Sequence, residues 1–277
     1  MIKPADIAMF VKEANKTFHD QESSCYESHH SDIFNPQTQQ RIAEILAWIR
    51  TRSEGEYLLD AGCGTGNILN MAGAHFGERV GVDISPGMCR EALKKNPWIA
   101  CAELESLPLP ENYFDAVASF SVLHHLYEHE AYCREVYRVL KPGGYLYTDH
   151  DPNLLNVTSG AGKAYNKLYK FISILPAETD KSEKEELDED VEVDDDLIRY
   201  VEYHHQIKKG LDPRQLKDIL LRVGFREVKI IYHDDFSSLS IRKDRRWKLR
   251  MIIRLFAIAT LHFNSSFLPN FLILAQK

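Results

Sequence analysis

Between residues 56 and 149, short apolar runs alternate with helical segments, and that alternation admits very few folds. The spacing predicts strands over 56–61, 79–83, 98–102, 114–120 and 144–149. It predicts helices over 68–76, 86–95 and 131–140, the last stopped by Lys141-Pro142-Gly143-Gly144. Runs such as Leu58-Leu59 and Ala116-Val117-Ala118 are apolar at consecutive positions. A strand exposed on one face would alternate instead, so these strands are expected to be buried on both faces. The alternation resumes with a helix over 212–223, ended by Gly224, and strands over 227–232 and 270–275. The expectation is an α/β fold, with a seven-stranded, mostly parallel sheet and helices on both faces.

The flanks read differently. Residues 1–50 are helical and loop-like, with apolar positions at helical spacing over 41–49, and are expected as an N-terminal cap on a main domain of 51–277. Residues 151–210 interrupt the pattern after strand five. They carry a helix near 163–175 and an acidic run over 183–196, read as the solvated edge of a substrate lid. Residues 242–263 mix arginine and lysine with Trp247, Met251 and Leu255. Two readings stand: a basic helix in peripheral contact with an anionic membrane, or, preferred, a roof over a pocket.

Bulk properties narrow the classes. A net charge of −7 and a pI near 6.0 argue against a nucleic-acid partner bound by the whole surface. The five cysteines show no C-x-x-C spacing, which suits reduced thiols in a cytoplasm. The first residues lack the apolar core of a signal peptide. The stretch 251–263 is broken by Arg254 and His262 and is shorter than the ~20 residues of a membrane span. Adjacent histidines such as His29-His30 do not converge on one ion, so no metal is expected.

The sharpest local signal is Asp60-Ala61-Gly62-Cys63-Gly64-Thr65-Gly66-Asn67, between a strand and a helix. Glycine is needed where a chain turns sharply or lets a ligand approach the backbone. A dinucleotide loop has the form G-x-G-x-x-G, shaped for a pyrophosphate. Here the third glycine comes one position early, which favours a ligand without pyrophosphate. Asp83 ends the next strand, 23 residues beyond Asp60, where a carboxylate can accept both hydroxyls of a ribose.

With these motifs the chain resembles the class I S-adenosylmethionine-dependent methyltransferases, in particular the small-molecule branch containing the ubiquinone and menaquinone biosynthesis enzymes. The resemblance covers roughly residues 55–150 and implies a Rossmann-like fold with S-adenosylmethionine as cofactor. It places Asp60, Gly62, Cys63, Gly64 and Gly66 against the methionyl part. The second motif, Val80 to Met88, implies contacts from Asp83, Ile84 and Met88. Glu103, Leu104 and Glu105 match the segment that contacts adenine. Phe120 and Ser121 match the turn after strand four. Tyr26 is a further cofactor contact in an N-terminal segment that related enzymes fold over the site.

Methyl transfer from a sulfonium is an in-line displacement, and a base is needed only when the nucleophile carries a proton. The catalytic candidates are His125, His124 and His150, at the ends of strands four and five, where parallel sheets bind ligands. The alternative for His125 is a capping or packing role. The expected function is methyl transfer to a small, largely apolar organic acceptor. The alternatives are a macromolecular acceptor, or a non-catalytic protein that binds the cofactor. Substrate choice is expected to lie in 1–50, 151–210 and 242–263, through groups such as Tyr165, Tyr169, Phe171, Tyr203, His204 and Trp247.

Overall fold

Leu58 and Leu59 are neighbours on one strand, point to opposite faces of it and are both fully buried. Each face therefore needs its own cover, and the chain supplies one from each side. In the computed structural model, which describes residues 4–30, 33–174, 200–201, 203–233 and 265–277, seven strands form a single sheet. They are β1 (Tyr57–Ala61), β2 (Glu78–Asp83), β3 (Ile99–Cys101), β4 (Phe114–Phe120), β5 (Leu140–Pro152), β6 (Arg226–His233) and β7 (Asn270–Gln276). Their order across the sheet is β3-β2-β1-β4-β5-β7-β6. Only β7 runs against its neighbours, antiparallel to both β5 and β6. This is the Rossmann-like α/β architecture expected.

One face is covered by α3 (Pro36–Arg50), α4 (Asn67–Ala72) and α5 (Pro86–Leu93), whose Ile42, Leu46, Leu69 and Ala92 join Leu58 in one apolar cluster. The other is covered by α6 (His129–Val139) and α9 (Pro213–Val223), whose Val136, Leu216 and Leu220 join Leu59. Local chemistry fixes where several helices start. Asn35-Pro36, Ser85-Pro86 and Asp212-Pro213 each pair a capping side chain with a proline at the first helical position. Proline loses nothing there, and the cap satisfies an amide two or three residues on.

The N-terminal fifty residues divide. α3 packs on the sheet itself, whereas α1 (Pro4–Glu22) and α2 (Tyr26–His29) lie across the carboxyl ends of the strands. The Gly87 amide donates to the Asp20 carboxylate, which fastens α1 to the first turn of α5. After β5 come α7 (Leu154–Thr158) and α8 (Gly160–Ile174). The acidic run 183–196, the segment 242–263 with Trp247, and the side chains of Tyr169, Phe171 and His205 lie outside the described residues. No described helix is long and apolar enough to cross a membrane.

Strand five is longer than its expected bounds of 144–149. Leu140 already pairs with Phe114, and the register then jumps so that Ala116 faces Tyr145. Lys141-Pro142-Gly143-Gly144, expected as a turn, is thus a bulge within the strand, held by Lys141 Nζ at 2.8 Å from Asp115 Oδ2. A second irregularity lies between Thr148 and Asp151. It turns Asp149 into a fully buried hub. Arg41 Nε (3.0 Å) and the Tyr147 hydroxyl (2.6 Å) donate to one oxygen. The His150 amide (2.6 Å) and His233 Nε2 (2.7 Å) meet the other. Burial pushes the Asp149 carboxyl up, but His233, and then Arg41 and Tyr147, hold it below its usual range.

The hub ties α3, β5 and β6 together, and removing its charge leaves Arg41 facing a neutral group in the interior. Asp149→Asn is expected to cost about 3 kcal/mol of folding free energy, measured by urea denaturation. A loss below about 0.5 kcal/mol would show that the hub does not hold the sheet to α3.

Candidate active site

The site begins where β1 runs out. The Gly62 and Cys63 amides both donate to the Val82 carbonyl, at 2.8 and 3.0 Å, so the chain turns sharply beside β2. At Gly62, φ is +85°, and a Cβ would lie 2.4 Å from the Val122 side chain. At Gly64 a Cβ would meet nothing within 4 Å, because this residue borders a crevice. Gly66 opens α4. The glycines therefore do different work: Gly62 makes the turn, and Gly64 leaves backbone bare to a ligand.

Asp83 ties this loop to the next strand. Its Oδ2 accepts from the Gly64 amide (2.8 Å) and its Oδ1 from the Ser85 amide (2.9 Å). Each oxygen retains acceptor capacity for a further donor. Burial raises the carboxyl's pKa, opposed by the Ser85 and Gly64 amides. Deeper still, Asp60 is almost wholly buried in β1, and burial, then the charge of Asp83, push it up to about 8.

The crevice is partly open, and with the space open to solvent counted it spans about 730 Å³. Its sheet side is formed by Gly62, Gly64, Asp83 and Ile84, with Met88 from α5. Leu104 and Glu105 border it after β3, and Phe120, Ser121 and His125 after β4. Tyr26 of α2 borders it from the other side. Six other residues named from sequence stand back from it. Asp60, Cys63 and Gly66 lie behind the glycine loop, and Glu103 pairs with Lys12. His124 and His150 support the wall from behind. The bare backbone at Gly64 and the anchored Asp83 carboxylate fit an adenosyl and methionyl ligand.

The histidines form a layered group. His125, on the crevice, has Nδ1 3.0 Å from the Val201 carbonyl, which only accepts, so Nδ1 carries the proton. Its ring lies 3.9 Å from that of His124. His124 is buried, with Nδ1 2.9 Å and its amide 3.1 Å from Asp151 Oδ1. Burial pushes the Asp151 carboxyl up to about 7, opposed by the His124 amide and the neighbouring imidazoles. His150 adopts a left-handed φ of +63° and stacks on Phe120 at 5.2 Å. Tyr165 packs on Phe267, and Tyr203 on Tyr127, away from the lining.

The sequence reading missed the α1 wall: Lys12, Asn15 and His19 border the crevice, as do Val122 and Leu126 after β4. Asn15 Nδ2 donates to the His125 carbonyl at 3.3 Å, which couples α1 to the turn after β4. The one signal available was His19-x-x-Glu22, an i,i+3 pair on a helix, and that spacing is common on solvated faces.

Comparison with known proteins agrees with this geometry. Residues 59–148 match a family model described as a methyltransferase domain. Over 186 residues the chain is 31% identical to a ubiquinone/menaquinone biosynthesis C-methyltransferase of Yersinia enterocolitica, covering 63% of this chain and 68% of that one. A tRNA (carboxymethyluridine(34)-5-O)-methyltransferase of Arabidopsis thaliana is 33% identical over 106 residues, 37% of this chain but only 26% of its own length. Among solved structures, a SAM-dependent methyltransferase from Archaeoglobus fulgidus shares the fold, with a TM-score of 0.53 at 22% identity over 86% of this chain and 94% of that one. So does a Haemonchus contortus phosphoethanolamine N-methyltransferase, with a TM-score of 0.59 at 17% identity over 100% of this chain and 60% of that one. The chain belongs to the class I S-adenosylmethionine-dependent methyltransferases, and S-adenosylmethionine is its cofactor. Within that class it resembles the ubiquinone and menaquinone C-methyltransferases.

Asp83 is the residue through which the cofactor's ribose is expected to be read. Asp83→Ala should weaken S-adenosylhomocysteine binding by ~1.5–3 kcal/mol, the range for hydrogen bonds to a charged group. Isothermal titration of the folded variant checks this, and an unchanged dissociation constant would remove Asp83 from the site.

Proposed function

We propose that this enzyme methylates a small, largely apolar organic acceptor held between the turn after β4 and the α1–α2 cover. The observation that carries the reading is the side of the crevice away from Asp83, where Val122 and Leu126 stand beside Asn15, His19 and His125. Bound S-adenosylmethionine supplies an electrophilic methyl group on a sulfonium. The chain's part is to hold that group in line with a nucleophile and to exclude water.

In this reading Gly62, Gly64, Asp83, Ile84, Met88, Leu104, Glu105, Phe120, Ser121 and Tyr26 contact the cofactor, backed by Asp60, Cys63, Gly66 and Glu103. His125 borders the place of the reacting groups, and its Nδ1 contact with the Val201 carbonyl fixes the orientation of the ring there. His124 with Asp151, and His150 on Phe120, keep His125 and the wall in place. Val201 belongs to 151–210 and reaches His125, which supports a role for that segment as a substrate lid. All five cysteines are free thiols, which supports a cytoplasmic enzyme.

A macromolecular acceptor is the second reading, favoured by the tRNA-modifying relative. The net charge of −7 weighs against it. The two are separated by incubating the enzyme and S-adenosylmethionine with deproteinised metabolites and, separately, with total RNA and protein. Products heavier by one CH₂ are expected in the metabolite fraction, and their appearance only in RNA or protein would overturn the first reading. His125→Ala should lower turnover by up to about 10²-fold through lost positioning of the acceptor, with little change in S-adenosylhomocysteine affinity. Full turnover in that variant would remove His125 from the reaction.

A further inference from the structure

His19 enters the crevice from α1 and belongs to none of the motifs of the sheet. Its ring stands edge-on to His125, with centroids 5.0 Å apart and planes at 85°. Tyr26 lies 6.3 Å away, again edge-on. Its Nδ1 is 2.8 Å from Glu22 Oε1, one turn along the same helix. The other oxygen of Glu22 lies 3.4 Å from His30 Nε2. Burial pushes the Glu22 carboxyl up, but the hydrogen bonds of His19 and then His30 overcome it and hold it at about 2. Glu22 is therefore a carboxylate at every working pH, and a carboxylate only accepts. In the neutral tautomer that this contact selects, Nδ1 carries the proton and Nε2 the lone pair, and Nε2 hydrogen-bonds to none of the described residues.

A histidine that borders a reaction crevice, with its distal nitrogen unengaged and its proximal nitrogen donating to a half-buried carboxylate, has the arrangement of an oriented general base. His125 is oriented too, but by a neutral carbonyl, which does less to favour an imidazolium. We propose that His19, oriented by Glu22, is the base of this site. The acceptor then belongs to the class with a hydrogen on its reacting atom: a hydroxyl, an amine, or an acidic carbon. The proposal rests on the methyl-transfer reading and deepens it.

The step balances simply. A lone pair of the acceptor's oxygen or nitrogen, or on carbon the pair released from the C–H bond when its proton leaves, forms the bond to the methyl carbon, and the carbon–sulfur bond breaks with its electrons to sulfur. The acceptor's proton passes to His19 Nε2. The resulting imidazolium is held by Glu22 until the proton leaves to solvent. The charged and titratable groups that face His19 are Glu22 on its own helix, His30 and Tyr26 on α2, His125 after β4, and Asp83 at the end of β2. Of these, Glu22 alone hydrogen-bonds the ring.

The test has an arm without turnover. In the S-adenosylhomocysteine complex, the His19 ring protons are titrated by NMR in wild type and in Glu22→Gln, where the amide can still accept from Nδ1 but carries no charge. The His19 pKa is expected to fall in the variant, and an unmoved titration overturns the dyad. In the second arm, turnover is driven by a deproteinised metabolite extract. His19→Ala should lose about a hundred-fold or more of the rate, keep S-adenosylhomocysteine affinity within about threefold, and regain rate when imidazole is added. Glu22→Gln should move the acid limb of the rate profile to lower pH, in step with the NMR value. A tenfold weaker S-adenosylhomocysteine affinity in His19→Ala would instead make His19 a clamp for the cofactor's carboxylate and overturn the proposal. Wild-type rate in His19→Ala would also overturn it, while leaving the methyl-transfer reading intact. Loss of activity in wild type itself, across every acceptor fraction, would count against that reading. Should His19→Ala fail to fold, Glu22→Gln carries both arms.

Discussion

One carboxylate joins the two loops on which the site depends. Asp83 accepts a backbone amide on each oxygen, one from the glycine loop after β1 and one from the first turn toward α5. Without it the Gly62–Gly66 turn has no tie to β2 beyond the Val82 carbonyl, and the floor of the crevice loses its shape. The arrangement is paid for by burial, which works against the ionised form. A ligand that brings hydroxyl donors to the same oxygens relieves part of that cost, so a ribose suits this position in energy as well as in geometry.

The other walls are built by departures from regular structure. The irregularity in β5 between Thr148 and Asp151 buries two nearby carboxylates. Asp149 faces Arg41 and His233 and braces the sheet against α3. Asp151 faces His124 and braces the turn after β4. Two left-handed residues, Ser121 and His150, close the ends of β4 and β5 beside each other, joined by the Ser121 amide at 2.8 Å from the Asp149 carbonyl. Strain of this kind persists only where surrounding contacts over-determine it, and it collects at working sites. Across from these, α1 is fastened by polar contacts of Asp20, Lys12 and Asn15 and by the burial of Val11 and Ala14.

Much of this was legible in the chain, and for definite reasons. A strand buried on both faces must be apolar at consecutive positions, so Leu58-Leu59 and Ala116 to Ala118 announced a central sheet. Gly62 and Gly64 announced a turn with bare backbone, since only glycine fits there. The direction of β7 was not legible, because the short apolar run from Phe271 to Ala275 carries no sign of its orientation. Nor was the bulge at Lys141–Gly144, since proline and glycine read equally well as a turn between elements. The α1 wall escaped for a different reason. Lys12, Asn15 and His19 reach the crevice only through tertiary packing, and nothing in local spacing separates them from a solvated helix face. His124 and His125 sit side by side in sequence, yet one is buried on Asp151 and the other borders the crevice.

The central claim is that the crevice beside Asp83 takes an adenosyl sulfur ligand and no dinucleotide. Isothermal titration of the purified chain tests it most directly. Titration with S-adenosylhomocysteine should show saturable binding at one site, and NAD and FAD should give no binding heat under the same conditions. Saturable NAD or FAD binding, with no response to S-adenosylhomocysteine or S-adenosylmethionine, would contradict the account at its base.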